Sequence, residues 1–167
     1  GTVVRYAEKA TGHVYEVEMF SPRKDRISNI TIPFVYESAW ANKTNSAALV
    51  TLDDTSLNQN LYSYNLNANS SSSTDKSPLP TQIDTNVDGV VVFGNTIFYL
   101  KKYSNGAEGR LVTFDNKSNK VVFKTAFSEY NVQFINEKIV ALNSKIDSFI
   151  STELEHYLAI STAIAGL

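Results

Sequence analysis

The sequence predicts an all-β fold, a partial β-propeller of three to four blades in which each blade is a meander of antiparallel strands. The first observation behind this is a recurring local setting. A large ring stands two residues before an asparagine in Trp40-Ala41-Asn42, Phe93-Gly94-Asn95 and Phe134-Ile135-Asn136, at steps of 53 and 41 residues, and an apolar run follows each time. Periods of roughly 40 to 50 residues holding several short strands mark units that bury their hydrophobic faces only by stacking on one another. The second is period-two alternation of apolar and polar residues, broken by Gly, Asn, Asp and Ser clusters, the pattern of half-buried strands joined by tight turns. The third is length. At about 45 residues per unit, 167 residues hold between three and four units, whereas closed rings use about four to eight. The expected product is therefore an incomplete ring, a single repeat domain over 1–167 whose remaining blades belong to a longer parent protein.

The elements follow in order. A first, partial blade over 1–32 contains Val3–Tyr6, a turn at Thr11-Gly12, a strand over His13–Met19 and a short outer strand at Arg26–Ser28. Pro33 punctuates the crossing to a second blade over 33–83, with strands near Tyr36–Trp40, Ala47–Leu52 and Leu61–Leu66. In the last of these Tyr62, Tyr64 and Leu66 form the better core face, because aromatic residues dominate sheet packing. Residues 67–80, rich in Asn and Ser, have little to bury and are read as a flexible loop. The third blade, over 84–127, is the cleanest. Its strands Val90–Phe93, Ile97–Leu100, Leu111–Phe114 and Val121–Phe123 are separated by Gly94-Asn95, Ser104-Asn105-Gly106 and Asp115–Asn119, turn chemistry that supplies the positive φ of tight hairpins. A fourth, partial blade over 128–167 begins with Tyr130–Phe134 and Lys138–Leu142. Two readings of its remainder stay open. Ile150, Leu154 and Leu158 fall at helical spacing behind a Thr152/Glu155 capping box, which favours a short C-terminal helix, whereas the repeat predicts a strand at Tyr157–Ile160.

Composition excludes several functions. Fifteen basic and 17 acidic side chains give a net charge of −2, so no electrostatic footprint for nucleic acid is present. The absence of cysteine removes disulfides and thiolate catalysis, and no apolar stretch reaches the roughly 20 residues of a spanning helix.

No catalytic residue and no cofactor are predicted. Asp84-Thr85-Asn86-Val87-Asp88-Gly89 matches the opening of a calcium loop, with Asp84, Asn86 and Asp88 as alternative metal ligands, but Asn95 occupies the position of the closing bidentate carboxylate. The stretch reads instead as a polar lead-in to a strand, so no metal is expected. His13 and His156 lack the spacing of a shared metal site, adjacent Asp53 and Asp54 read as a solvated turn, and Gly106-Ala107-Glu108-Gly109 lacks the lysine of a phosphate loop. Trp40, Phe93 and Phe134 are assigned to packing between blades rather than to a ligand platform.

The layouts Trp40–Val50 followed by Leu61-Tyr62-Ser63-Tyr64-Asn65, and Phe93–Tyr99 followed by Leu111-Val112-Thr113-Phe114-Asp115, resemble WD40-like, TolB-type β-propeller repeats. Beside them, the unit holding Arg5-Tyr6 and His13–Val17 looks like a blade without its inner strand. Tyr6–Glu16 and Arg26–Pro33 resemble uncharacterised bacterial envelope propellers. The resemblance implies an extracytoplasmic or cell-envelope location and a non-enzymatic scaffold for a protein or cell-envelope polymer. The loops Glu8–Gly12, Asp53–Asn60 and Lys101–Gly109, with the crossings Ile30–Phe34 and Asn69–Asp84, would do the binding, since loops on a rigid scaffold carry function. The alternative is the propeller of a carbohydrate-active or peptidase-associated enzyme, which predicts acids converging on the axis.

Overall fold

A computed structural model describes residues 2–28, 30–42, 44–66, 79–127, 130–144 and 157–161. They form a partial β-propeller of four antiparallel sheets. The first sheet has the order β1 (Val3–Ala7), β2 (Val14–Glu18), β3 (Lys24–Arg26), and the second β4 (Val35–Trp40), β5 (Ser46–Leu52), β6 (Gln59–Asn65), β7 (Thr81–Thr85). The third holds β8 (Val87–Phe93), β9 (Thr96–Tyr103), β10 (Gly106–Thr113) and β11 (Asn119–Thr125), and the fourth β12 (Tyr130–Asn136), β13 (Ile139–Ser144) and β14 (Tyr157–Ser161). Each is a meander, its strands antiparallel and neighbouring in chain order, as short turns require wherever they join them.

Strand direction identifies the parts of each blade. In the second sheet the β5–β6 turn lies beside the start of β4, where the Leu52 amide donates to the Phe34 carbonyl at 3.0 Å. In the first sheet it is the β1–β2 turn that lies beside the start of β4, with Val35 N–H donating to the Lys9 carbonyl at 3.0 Å and Ile32 N–H to the Thr11 carbonyl at 2.7 Å. The β1–β2 hairpin therefore corresponds to β5–β6. Thus β1, β2 and β3 are second, third and outer strands, and among the described residues the first sheet has no inner strand.

Three apolar layers fill the spaces between sheets. Val14 of the first sheet meets Ala47, Leu49 and Tyr64 of the second. Ala48, Val50 and Leu61 meet Val90, Ile97, Tyr99 and Val112 of the third. Phe98 and Leu100 meet Tyr130, Val140 and Leu142 of the fourth. Every inner blade is covered on both faces, which explains the unbroken burial of β5, whose six residues from Ser46 to Thr51 are all buried. It also corrects the single core face expected for Leu61–Leu66. Leu61 and Tyr64, on opposite faces of β6, are 0% and 1% exposed.

Other expectations need correction too. Thr81–Asp84, expected within the Asn69–Asp84 crossing, belong to the outer strand Thr81–Thr85 of the second sheet, paired with Asn60–Ser63. The outer strand of the first sheet is Lys24–Arg26, two residues before its expected start. Tyr157–Ser161 is a strand registered on Ile139–Asn143, as the repeat predicts, so the C-terminal helix is not formed at Leu158. The capping box at Thr152 and Glu155, and positions 67–78 of the expected flexible loop, lie outside the described residues.

The aromatic repeat holds as packing but not in phase. Trp40 packs back on the layer against the first sheet, and Phe134 back on the layer against the third. In the third sheet it is Val92 that faces back, while Phe93 points forward, its ring 5.8 Å from that of Phe134. One residue of offset reverses the face of every side chain in a strand. The Asn of the motif likewise sits before the turn in one copy and inside it in another.

Candidate binding rim

Of the loops proposed from sequence, Glu8–Gly12, Asp53–Asn60, Lys101–Gly109 and the Ile30–Phe34 crossing lie at one end of the sheets, the end where inner strands begin, whereas residues 69–78 of the Asn69–Asp84 crossing lie outside the described residues and Thr81–Asp84 belong to β7. The β1–β2 turn touches the Ile30–Phe34 crossing, the β5–β6 turn touches Phe34, and Asn86 accepts the Lys102 amide at 2.8 Å at the start of the β9–β10 turn. Between the last two lies a groove of ≈ 530 Å³ lined by Leu57, Asn58, Gln59, Asn86, Val87, Lys102, Tyr103 and Ser104. A second groove, of ≈ 540 Å³, runs from Tyr103 past Gly106 and Glu108 to Ala126.

Asp53 builds the turn at the first groove. Its Oδ1 accepts the Thr55 amide at 3.1 Å, the Ser56 amide at 2.7 Å and the Ser56 hydroxyl at 2.9 Å. These bonds, the Ser56 amide foremost, hold its carboxyl below the ordinary range. Asp54 instead accepts the Thr55 hydroxyl at 3.2 Å. The tightened turn forces Leu57 to φ 56°, and the crossing holds Phe34 at φ 61°. Both are bulky residues in the left-handed region, and both are exposed, at 72% and 54%. Tyr103 and Phe127 add exposed rings at the same end. The sequence holds no signal for these strained apolar tips, since Leu and Phe are poor turn residues.

The alternative calcium ligands diverge. Asp84 reaches sideways to the third sheet, where its carboxylate accepts the Tyr99 hydroxyl at 2.9 Å and pairs with Lys101 Nζ, with Arg110 at 3.8 Å. Burial alone raises this carboxyl, but the bonds from Lys101, the Thr85 amide and Tyr99 together leave it below its ordinary value. Burial also pushes the Tyr99 phenol up to about 12. Asp88 pairs with Lys102 at 2.9 Å, and Asn86, at φ 55°, makes the corner between them. Among the described residues no three His, Asp or Glu side chains come together as a metal site.

Glu108 anchors a second cluster on the outer face, bonded to Arg110 and Lys124 at 2.8 Å each and to the Tyr103 hydroxyl at 3.1 Å. Lys124 first, then Arg110, hold its carboxyl down to about 2. Gly106 and Gly109 lie in strand β10 rather than in a phosphate loop. A Cβ on Gly109 would stand 1.8 Å from the Phe123 ring, so packing explains that glycine. His13 lies 3.3 Å from the Thr31 hydroxyl at the first turn. His156 is outside the described residues.

No family model matches the sequence, and no curated protein matches it. Among solved structures the chain is similar to one from the crystal structure of a nidogen/laminin complex, with a TM-score of 0.52 at 14% identity over 86% of this chain and 53% of that one. The chain thus spans about half the length of that neighbour. At this identity the likeness concerns the fold, and it agrees with the incomplete ring of stacked sheets described above.

Proposed function

We propose that the chain is a non-enzymatic scaffold that binds a protein partner across this rim. The observation that carries the reading is the exposed Leu57, held in left-handed backbone and lining a groove with Tyr103, with Phe34 likewise strained and exposed beside the same β5–β6 turn, whereas Phe20 shares the conformation but lines neither groove. A left-handed residue other than glycine costs about 1–2 kcal/mol, and an exposed apolar side chain returns little of it within the fold. Such strain persists where the surrounding turn over-determines it, and it collects at binding and switch sites. With Tyr103 and Phe127 these side chains form apolar anchors beside a groove lined mainly by amide and apolar side chains, with Lys102 the charged member of its lining, a composition in keeping with a protein interface. The resemblance to TolB-type repeats supports a cell-envelope setting, and the apolar anchors favour a protein over an envelope polymer.

The test is site-specific photocrosslinking in the native host. A crosslinking side chain at Leu57 or Phe34 captures a discrete partner, and one at Phe20 or Ile135, exposed at the opposite end, does not. Equal capture from both ends, or capture from neither, overturns the reading.

A further inference from the structure

Tyr103 lines both grooves of the rim, so the two join there into one path that runs from Leu57 to Lys124. The side chain is fixed at the junction. Its hydroxyl donates to Glu108 Oε2 at 3.1 Å, with an Arg110 guanidinium nitrogen at 3.5 Å, while the residue as a whole stays exposed.

The ends of the path differ in charge. Towards Lys124, the Glu108 carboxylate holds Arg110 and Lys124, and the Asp84 carboxylate holds Lys101, with Arg110 3.8 Å away. Three cations thus meet two carboxylates in this cluster, an excess of one positive charge. The excess faces outward, because the Asp84 and Glu108 side chains are 11% and 13% exposed whereas that of Lys124 is 75% exposed. At the other end the sign reverses: Asp54 is exposed in the turn that carries Leu57.

Spacing sets the length of an occupant. Lys124 lies two strands from Tyr103 in the order β11-β10-β9, about 10 Å at the usual strand separation, and the stacking of sheets puts Leu57 about 10 Å from Tyr103 on the other side. We propose that the path takes an extended segment of the partner protein, about six or seven residues at about 3.3 Å each, with an apolar residue beside Leu57 and an Asp or Glu beside Lys124. The inference rests on the reading of the rim as a protein-binding surface and adds the chemistry of what is bound. Apolar contact at Leu57 and Tyr103 supplies affinity, and the unlike ends supply selectivity and register. A polymer of uniform negative charge suits the Lys124 end and is repelled by Asp54.

The probe is a random heptapeptide library displayed on phage and selected on the full chain, with the enriched sequences then made as free peptides. The expected sequences carry an acidic residue about five positions from an apolar one. Leu57→Asn weakens them at least about fivefold, as loss of a central interface contact does, and Phe20→Asn does not. Lys124→Glu changes an exposed side chain whose ion pair contributes little to the fold. It weakens the peptides about three- to tenfold, and selection on this variant enriches Lys or Arg in place of the acid, an inversion that lost stability cannot produce. No enrichment, enrichment without an acidic preference, or the same preference after Lys124→Glu overturns the proposal. Oligogalacturonate binding as tightly as the peptides identifies an anionic polymer as the occupant, and self-association that the peptides displace identifies a second copy; either overturns it. Photocrosslinking at Leu57 separates the two levels of the argument. Capture that persists undiminished in Lys124→Glu overturns this path and leaves the rim as a binding surface, whereas no capture by the unaltered chain overturns both.

Discussion

Phe20→Asn should stabilise the protein, against the usual expectation for losing an aromatic ring. Phe20 occupies the β2–β3 turn at φ 70° and is 101% exposed, so its removal takes no apolar surface out of the core. What it removes is the steric cost of a Cβ with an aromatic ring in left-handed backbone, about 1–2 kcal/mol, a conformation that asparagine tolerates through its short polar side chain. Allowing for partial relief, the gain is about 1 kcal/mol, or about 2–4 °C in Tm for a domain of this size. Urea unfolding followed by far-ultraviolet circular dichroism should show a higher midpoint at constant slope, since the surface exposed on unfolding barely changes. Leu57→Asn is the matched comparison. At φ 56° and 72% exposure it relieves similar strain but forfeits roughly a quarter of a leucine's burial, about 0.5 kcal/mol. Its gain should be smaller, and it alone should lose partner capture. An unchanged or lowered midpoint for Phe20→Asn would refute the strain argument at both turns.

Tyr64→Phe should be neutral or stabilising by up to about 1 kcal/mol in the same unfolding assay, because removing an unsatisfied buried hydroxyl removes a desolvation cost. The Tyr64 phenol is 1% exposed, and burial pushes it up, with the neighbouring Ser28 hydroxyl drawing it part of the way back. Ser28 already accepts the Val14 amide at 2.8 Å, however, and no bond of good geometry reaches the phenol oxygen. A loss above about 1 kcal/mol would show that the hydroxyl has a partner. Acid should weaken the Glu108 cluster in a defined window. Its carboxyl is depressed from 4.5 to about 2 in the fold, so its contribution is complete above pH 4.5 and is lost as pH falls through about 2. Glu108→Gln should remove that part of the acid slope, and an unchanged slope would count against the cluster.

The sheets were legible where turn chemistry bounded apolar runs. Gly94-Asn95 and Ser104-Asn105 flank the run Ile97-Phe98-Tyr99-Leu100, buried on both faces, and the third sheet formed where these turns placed it. β7 was missed because Thr81-Gln82-Ile83-Asp84-Thr85 carries one large apolar residue. An outer strand needs little burial, and alternation detects burial rather than pairing. The displaced phase of Phe93 has another cause. β8 contains a register shift between Asp88 and Val91, and a bulge decides which face a ring takes without altering the motif around it. The rim loops were found by their polar composition, but the anchors among them were not. Leu57 and Phe34 owe their exposure to hydrogen bonds made by Asp53 and Leu52, contacts that spacing along the chain does not encode.

The Asp84 pairing blurs the border between neighbouring repeats. Its backbone belongs to one sheet while its carboxylate neutralises Lys101 and binds Tyr99 in the next. A shortened array beginning after Thr85 would strand a lysine and a buried phenol without their counterpart. The second and third blades are thus expected to melt as one cooperative body, and designs that splice repeats at this seam would do better to carry the preceding outer strand along.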